Sequence, residues 1–395
     1  MITARPRLQL GKPLRARIRA GHPWIYDRAV GRAPKGGAAG DVIVVADEAG
    51  PIASAFLDPE SPIRARVLDL DPEADVGDAW ASGRAAAAAD RRARDPLLVA
   101  CTGRRLIHGE ADGCPGLVVD AYADTAVLVF DGPAAAAFWR PRLPAVLAGL
   151  ARGGAELAHA WLRGQRGERR QGGEALMGDP PAEIAIAEDE ARFAVDVRAG
   201  QKTGFFLDQR DNRRLVRRHA AGASVLNLFC YTGGFSLHAA LGGAARVTSV
   251  DLAAPALAGL ERSLALSGLP PDTHERICGD AFDVLARARQ SGRRWDLVIV
   301  DPPSFAPSER ARPAALAAYR KLAAASLAVV APAGRFALAS CSSHVSEADL
   351  LEQLAQLPDA GALRLRASAG SASDHPVLPA FPEGRYLKFL LFDVG

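Results

Sequence analysis

No apolar run in the 395-residue sequence approaches the roughly 20 residues of a membrane-spanning helix, so no membrane partner is expected. The basic N-terminal stretch has no hydrophobic segment of signal-peptide type, so no secretory leader is expected either. Cysteine is sparse: Cys101, Cys114, Cys230, Cys278 and Cys341 are scattered, with no C-x-x-C and no His at ligand spacing. That argues against a disulfide framework and against a metal site, and it suits a cytoplasmic protein with reduced thiols. It leaves room for one reactive cysteine. Lysine is scarce beside abundant Ala and Arg, a compositional bias that weakens any argument from Arg number. A large charge excess is also missing: the net charge is +3.

The charge is unevenly placed, however. From Arg5 to Lys35 there are many cations and one acid, Asp27. Such a stretch suits phosphates, and it equally suits a solvated face. Arg15, Arg17 and Arg19 are the candidate phosphate contacts. Trp24 and Tyr26 follow directly. Aromatics among cations can stack on RNA bases, or Trp24 can fill the core of a small β domain. Short strands are predicted at 41–45, 52–57 and 63–70. A Pro- and acid-rich break at 71–77 precedes an Ala-rich helix over 78–94. A middle α+β region follows to about residue 190, with a hairpin after Gly116 and a helix over 134–151. Residues 163–177 read as a Gly- and Arg-rich loop.

The chain is organised around Val225–Asp251. An apolar strand, a turn Cys230-Tyr231-Thr232-Gly233-Gly234, a helix and a second strand end on Asp251, about 20 residues after the turn. An acid there can accept hydrogen bonds from ribose hydroxyls. The G-x-G-x-x-G spacing that seats a pyrophosphate is missing, which favours S-adenosylmethionine over NAD. Asp280 follows the third strand, placed for the adenine amino group or as a helix N-cap. Cys278, inside that strand, reads as core. Asp301 follows the fourth strand and is pinned by Pro302 and Pro303, each with fixed φ and no N–H. Cys341 follows the fifth strand. Both therefore lie at the carboxyl edge of the sheet, where open α/β folds bind ligands. Two closing strands, 363–367 and 386–392, complete an α/β, Rossmann-like sheet with an antiparallel last strand. Upstream, Asp208 can take an ammonium and Lys202 or Arg210 a carboxylate, or Asp208 simply caps a helix.

The motifs GHPWIYDRAV, HGEADGCPGLVVDAY, GQKTGFFLDQRDNR, NLFCYTGGFSL, DPPSF, SCSS and DHPVLPAFPEGRYLK resemble the bacterial large-subunit rRNA cytosine-5 methyltransferase family of the RlmI type. The resemblance covers nearly the whole chain. It implies a small β-barrel PUA domain over 1–75, an α+β middle domain over 76–190 and a class I methyltransferase domain over 191–395. It also implies 23S rRNA as partner, free or partly assembled, and it leaves a homodimer open. The expected cofactor residues are Thr203, Asp208, Gln209, Arg210, Asn227, Phe229, Tyr231, Thr232, Gly233, Gly234, Asp251, Leu252, Asp280, Ala281, Asp301 and Pro302. Cys341 would be the nucleophile at cytosine C6, and Asp301 would hold the base edge. Ser304 stands where the family often has Lys, and Ser343-His344 replaces a glycine-containing turn. Two other functions fit the same residues. One is methylation of an exocyclic nitrogen without Cys341; the other is RNA binding by a vestigial fold.

Overall fold

The computed structural model describes residues 5–164 and 172–395. Part of the Gly- and Arg-rich loop, residues 165–171, lies outside the described residues. The chain forms two compact units. One comprises the chain up to Ile184 with Asp196–Phe205 and Asp374–Gly384; the other comprises Ala185–Val195, Phe206–Ser373 and Arg385–Gly395.

In the first unit a six-stranded sheet runs Trp24–Tyr26, Ile63–Asp69, Gly50–Leu57, Val42–Asp47, Arg7–Leu10, Val30–Arg32 in spatial order. The three longest strands match the sequence reading. The three short ones were missed, because three or four residues among cations carry no visible alternation. A five-stranded sheet, from Gly173–Met177 to Gly103–His108, forms the middle region. Gly173–Met177 pairs antiparallel with His159–Arg163, so the predicted loop is partly a strand. The helix predicted over 134–151 is two helices, Pro133–Trp139 and Leu143–Arg152. Pro141, without an amide proton, interrupts them in a short 3-10 turn. Helix Leu143–Arg152 lies close on Asp78–Ala93: a Cβ on Gly149 would stand 2.3 Å from the Ser82 carbonyl oxygen. Phe56, Leu68 and Val76 share one core with the middle region, and the Phe56 ring stacks on Phe138 at 5.4 Å.

The second unit is a seven-stranded sheet flanked by helices. Its strands are β1 (Ser224–Leu228), β2 (Arg246–Asp251), β3 (His274–Cys278), β4 (Trp295–Val300), β5 (Val330–Ser340), β6 (Leu363–Ala369) and β7 (Lys388–Val394). Their order is β3-β2-β1-β4-β5-β7-β6. The first five are parallel, and β7 runs antiparallel between β5 and β6. The helices are α1 (Arg210–Arg217), α2 (Gly234–Leu241), α3 (Ala254–Leu266), α4 (Ala281–Ser291), α5 (Arg312–Leu327) and α6 (Glu347–Ala355). Leu226, Leu228, Val298 and Val300 pack with α4, α5 and α6, whereas Val225, Leu297 and Ile299 pack with α1 and α2. Burial on both faces is why these strands read as continuous apolar runs. Cys278 corrects the sequence reading: it is exposed, because it ends β3 at the sheet edge.

Candidate active site

The parallel strands deliver five loops to one edge. After β1, Phe229 (φ 59°), Tyr231 (φ 48°) and Gly233 (φ 80°) all take left-handed backbone. Two bulky residues in that region are costly and persist only when surroundings fix them. Asp251 does much of the fixing: its carboxylate accepts from the Tyr231 amide at 2.8 Å and the Ala253 amide at 2.9 Å. A Cβ on Gly233 would stand 2.2 Å from Leu260 Cδ1, so only glycine suits that turn. The Thr232 hydroxyl is buried without a partner. Leu252, beside Asp251, leaves 67% of its surface exposed. Asp280 caps α4 by accepting from the Phe282 amide at 2.8 Å through Oδ1.

Asp301 is half-buried, and its Oδ2 accepts from Gln209 Nε2 at 2.9 Å. Gln209 Oε1 in turn accepts from Asn212 Nδ2 at 2.6 Å, and Asn212 also donates to the Gly370 carbonyl. Gln209, expected at the cofactor, is thus joined to Asp301, another of the residues expected there. The loops after β4 and β5 are tied together, because Ser342 Oγ donates to the Ala306 carbonyl at 3.1 Å. Half-buried Cys341 lies in the second of these loops. Tyr319 on α5 donates to Ser340 Oγ at 2.9 Å. Burial pushes the Tyr319 phenol up to about 12, with negative charge on Cys341 and Asp301 adding to burial against the Ser340 bond. It stays a neutral donor at working pH. His344, three residues beyond Cys341, faces Glu309 at 3.2 Å. Lys388, a site residue the sequence reading did not single out, donates to the Ser342 carbonyl.

Other expected residues have different surroundings. Asp208 is buried and accepts from the Tyr386 hydroxyl at 2.7 Å. Arg210 is fully buried, its Nε 3.9 Å from Glu188. Asn227 is buried within β1 and donates to Ser236 Oγ. Thr203 belongs to the first unit, where it donates to Asp120 at 2.5 Å and meets the Tyr122 hydroxyl at 2.7 Å. The sequence grouped both Thr203 and the DHPV…PEG segment with the methyltransferase part; Asp196–Phe205 and Asp374–Gly384 in fact fold with the N-terminal unit.

In that unit Arg15 is paired with Asp47, Nε to Oδ2 at 2.9 Å, while Arg17 and Arg19 are exposed on the helix Arg15–Arg19. The Trp24 indole donates to Glu110 at 2.8 Å, and the ring lies edge-on to Phe381 at 4.6 Å. Its surroundings are those of a packed side chain. Of the other cysteines, Cys101, Cys114 and Cys230 are buried. Burial pushes the Cys114 and Cys230 thiols well up, which disfavours either as a thiolate. Among the described residues no cluster of His, Cys, Asp and Glu could hold a metal, and no helix is long and apolar enough to cross a membrane.

Residues 143–391 match the family model of S-adenosylmethionine-dependent methyltransferases, and residues 8–70 match that of a PUA-like domain. A ribosomal RNA large subunit methyltransferase of Deinococcus radiodurans is 39% identical over 98% of each chain. Ribosomal RNA large subunit methyltransferase I of Shewanella denitrificans is 35% identical over 96% of this chain and 97% of its own. A solved structure from Streptococcus mutans, provisionally assigned as a SAM-dependent methyltransferase, superposes over 98% of this chain and 100% of its own. Its TM-score is 0.84 at 23% identity, so the likeness is one of fold.

Proposed function

The chain belongs to the S-adenosylmethionine-dependent methyltransferases, in the family of the ribosomal RNA large subunit methyltransferases, and on that premise we propose that it forms 5-methylcytidine in large-subunit (23S) ribosomal RNA. The observation that carries the reading is the pairing of Asp301 and Cys341 on two adjacent loops tied by Ser342 and Ala306. The residues present fit the cofactor. The left-handed turn at Tyr231–Gly233, the unpartnered Thr232 hydroxyl, the Asp251 carboxylate and the exposed Leu252 offer polar and apolar surface side by side. We assign the ribose to Asp251, the adenine edge to Leu252 and Asp280, and the amino-acid end to the Asp208 side of the site. Bound S-adenosylmethionine supplies an electrophilic methyl group.

Cys341 prepares the base to accept it. Its thiolate adds to cytosine C6, forming an S–C6 bond and moving the ring electron pair to C5, which becomes nucleophilic. Asp301, held by Gln209, meets the base at N3 and N4: it accepts from the exocyclic amine and shares a proton with N3, which offsets the negative charge the ring gains in the adduct. After C5 is alkylated it loses its proton to a base, and the S–C6 electrons return to sulfur. The base has to be unpaired or flipped to reach this edge. We further assign RNA affinity to residues 1–75, a connecting role to 76–190 and methyl transfer to 191–395. The substrate proposed is 23S rRNA, free or partly assembled.

Nucleoside mass spectrometry of rRNA from a strain lacking the protein tests the reading: 5-methylcytidine should fall against the parent strain. An unchanged 5-methylcytidine level with loss of an N-methylated nucleoside would support the exocyclic reading instead.

Calorimetry should find S-adenosylmethionine binding weakened about 10- to 100-fold by Asp251→Ala, the worth of a charged hydrogen bond. Loss of the turn it braces acts in the same direction. Equal affinities would remove Asp251 from the site. For RNA, deleting residues 1–75 would open the shared core around Phe56, so a point variant is the better probe. Arg19→Ala should raise the KM for RNA, lower the salt slope by about one and leave cofactor affinity alone. An unaltered slope would argue against this face.

A further inference from the structure

Lys388 opens β7, where the register sets it opposite Ser340, the residue before Cys341. Its side chain is buried, which is rare for lysine because its charge is costly away from water. The ammonium donates to the Ser342 carbonyl and, at 2.9 Å, to the Tyr386 carbonyl. Both neighbours of Cys341 are therefore held: the Ser340 backbone by the β5–β7 ladder and its hydroxyl by Tyr319, the Ser342 carbonyl by Lys388 and its hydroxyl by the Ala306 carbonyl. Carbonyls carry only partial charge. Negative charge on Asp349 of α6, and on Cys341 when it is a thiolate, favours this ammonium. Asp349 is already occupied by the amide of Ser346 and by Arg312 at 2.6 Å.

We infer that Lys388 is a positioning residue for Cys341: its ammonium fixes the 340–342 loop and balances the charge of the Cys341 thiolate. The inference rests on the reading of Cys341 as nucleophile. Other charged and titratable groups stand around this loop. Asp301 after β4 is an acid that opposes a thiolate, Tyr319 on α5 is neutral, and Arg312 answers Asp349. His344 faces Glu309. Burial pulls the Lys388 ammonium down to about 8 against the attraction of Cys341 and Asp349, so it is still largely charged at neutral pH.

The test is the pH dependence of iodoacetamide alkylation at Cys341 in the full-length protein, resolved by peptide mass spectrometry. Exposed Cys278 serves as the internal control. Lys388→Met should slow alkylation of Cys341 about 10-fold at neutral pH, the equivalent of one pH unit in its midpoint, and leave Cys278 unchanged. Lys388→Arg should restore the parent midpoint. If Lys388→Met does not fold, Lys388→Gln, which keeps donors toward the same carbonyls, should show the same slowing. An unshifted midpoint in the folded neutral variant, or no restoration by Arg, would overturn the role of the charge. Methyl transfer by Cys341→Ala is scored separately: an active variant removes the nucleophile reading, whereas an unshifted alkylation profile removes only Lys388.

Discussion

Cys341→Ala is expected to lose methyl transfer by about 10⁴-fold or more, the scale of loss when a covalent nucleophile is removed. The unactivated C5 of cytosine is a poor nucleophile, and Cys341 is the thiol on the loop beside that of Asp301. Cys230, the cysteine of the glycine turn, is buried with its thiol pushed well up. The variant should keep its fold, because Cys341 is half-buried and its neighbours Ser340 and Ser342 carry the loop's hydrogen bonds. Affinity for S-adenosylmethionine should also persist, since the residues assigned to it lie in the loops after β1, β2 and β3 and at Asp208 before α1. A single-turnover assay beside cofactor calorimetry separates the two properties. Retained turnover would shift the reading to an exocyclic nitrogen, for which Asp301 alone could orient the amine.

Glu188→Ala is expected to cost about 3–5 kcal/mol of stability, the usual penalty for breaking a buried ion pair from one side. Glu188 is buried and accepts from Arg213 at 2.8 and 2.5 Å, and His238 Nε2 lies 2.8 Å away. Burial alone would raise its carboxyl, but Arg213 and then His238 overcome burial and hold it well below the usual range. A carboxylate depressed in the folded state adds stability that is complete above its unfolded value. That stability is lost as pH falls below about 4.3, toward the folded value. Acid unfolding of the parent should therefore be steeper than that of Glu188→Gln, whose side chain does not titrate. Urea denaturation across that range measures the difference. A parent and variant that lose stability in parallel would contradict the assignment.

The methyltransferase sheet was legible because its central strands β1 and β4 are buried on both faces. The apolar stretches that end before Asp301 and Cys341, and the shorter strand that ends on Asp251, mark their own carboxyl ends. The fold of the first 75 residues was less legible, since its edge strands are too short to show alternation. Residue-by-residue roles were harder still. Gln209 reads as a cofactor residue from its motif, yet its partner Asp301 lies 92 positions away and nothing local announces it. Glu188 drew no attention for the same reason: Arg213 and His238 come from helices α1 and α2. Lys388 did leave a trace, a lysine in the apolar run Tyr-Leu-Lys-Phe-Leu-Leu-Phe. A buried cation in such a run asks for a partner. The motif segments holding Thr203 and Asp374 show the reverse problem: contiguous sequence suggested one domain, and contacts put them in the other.

Covalent trapping is the most direct test of the central claim. Substrate RNA carrying 5-fluorocytosine at the target position should leave an adduct between cytosine C6 and the peptide containing Cys341, formed in the presence of S-adenosylmethionine. Fluorine cannot depart from C5 as a proton does, so the S–C6 bond cannot resolve. The expected result is a mass shift on that peptide in the parent protein and none in Cys341→Ala. Methylated RNA with no adduct at Cys341 would contradict the account.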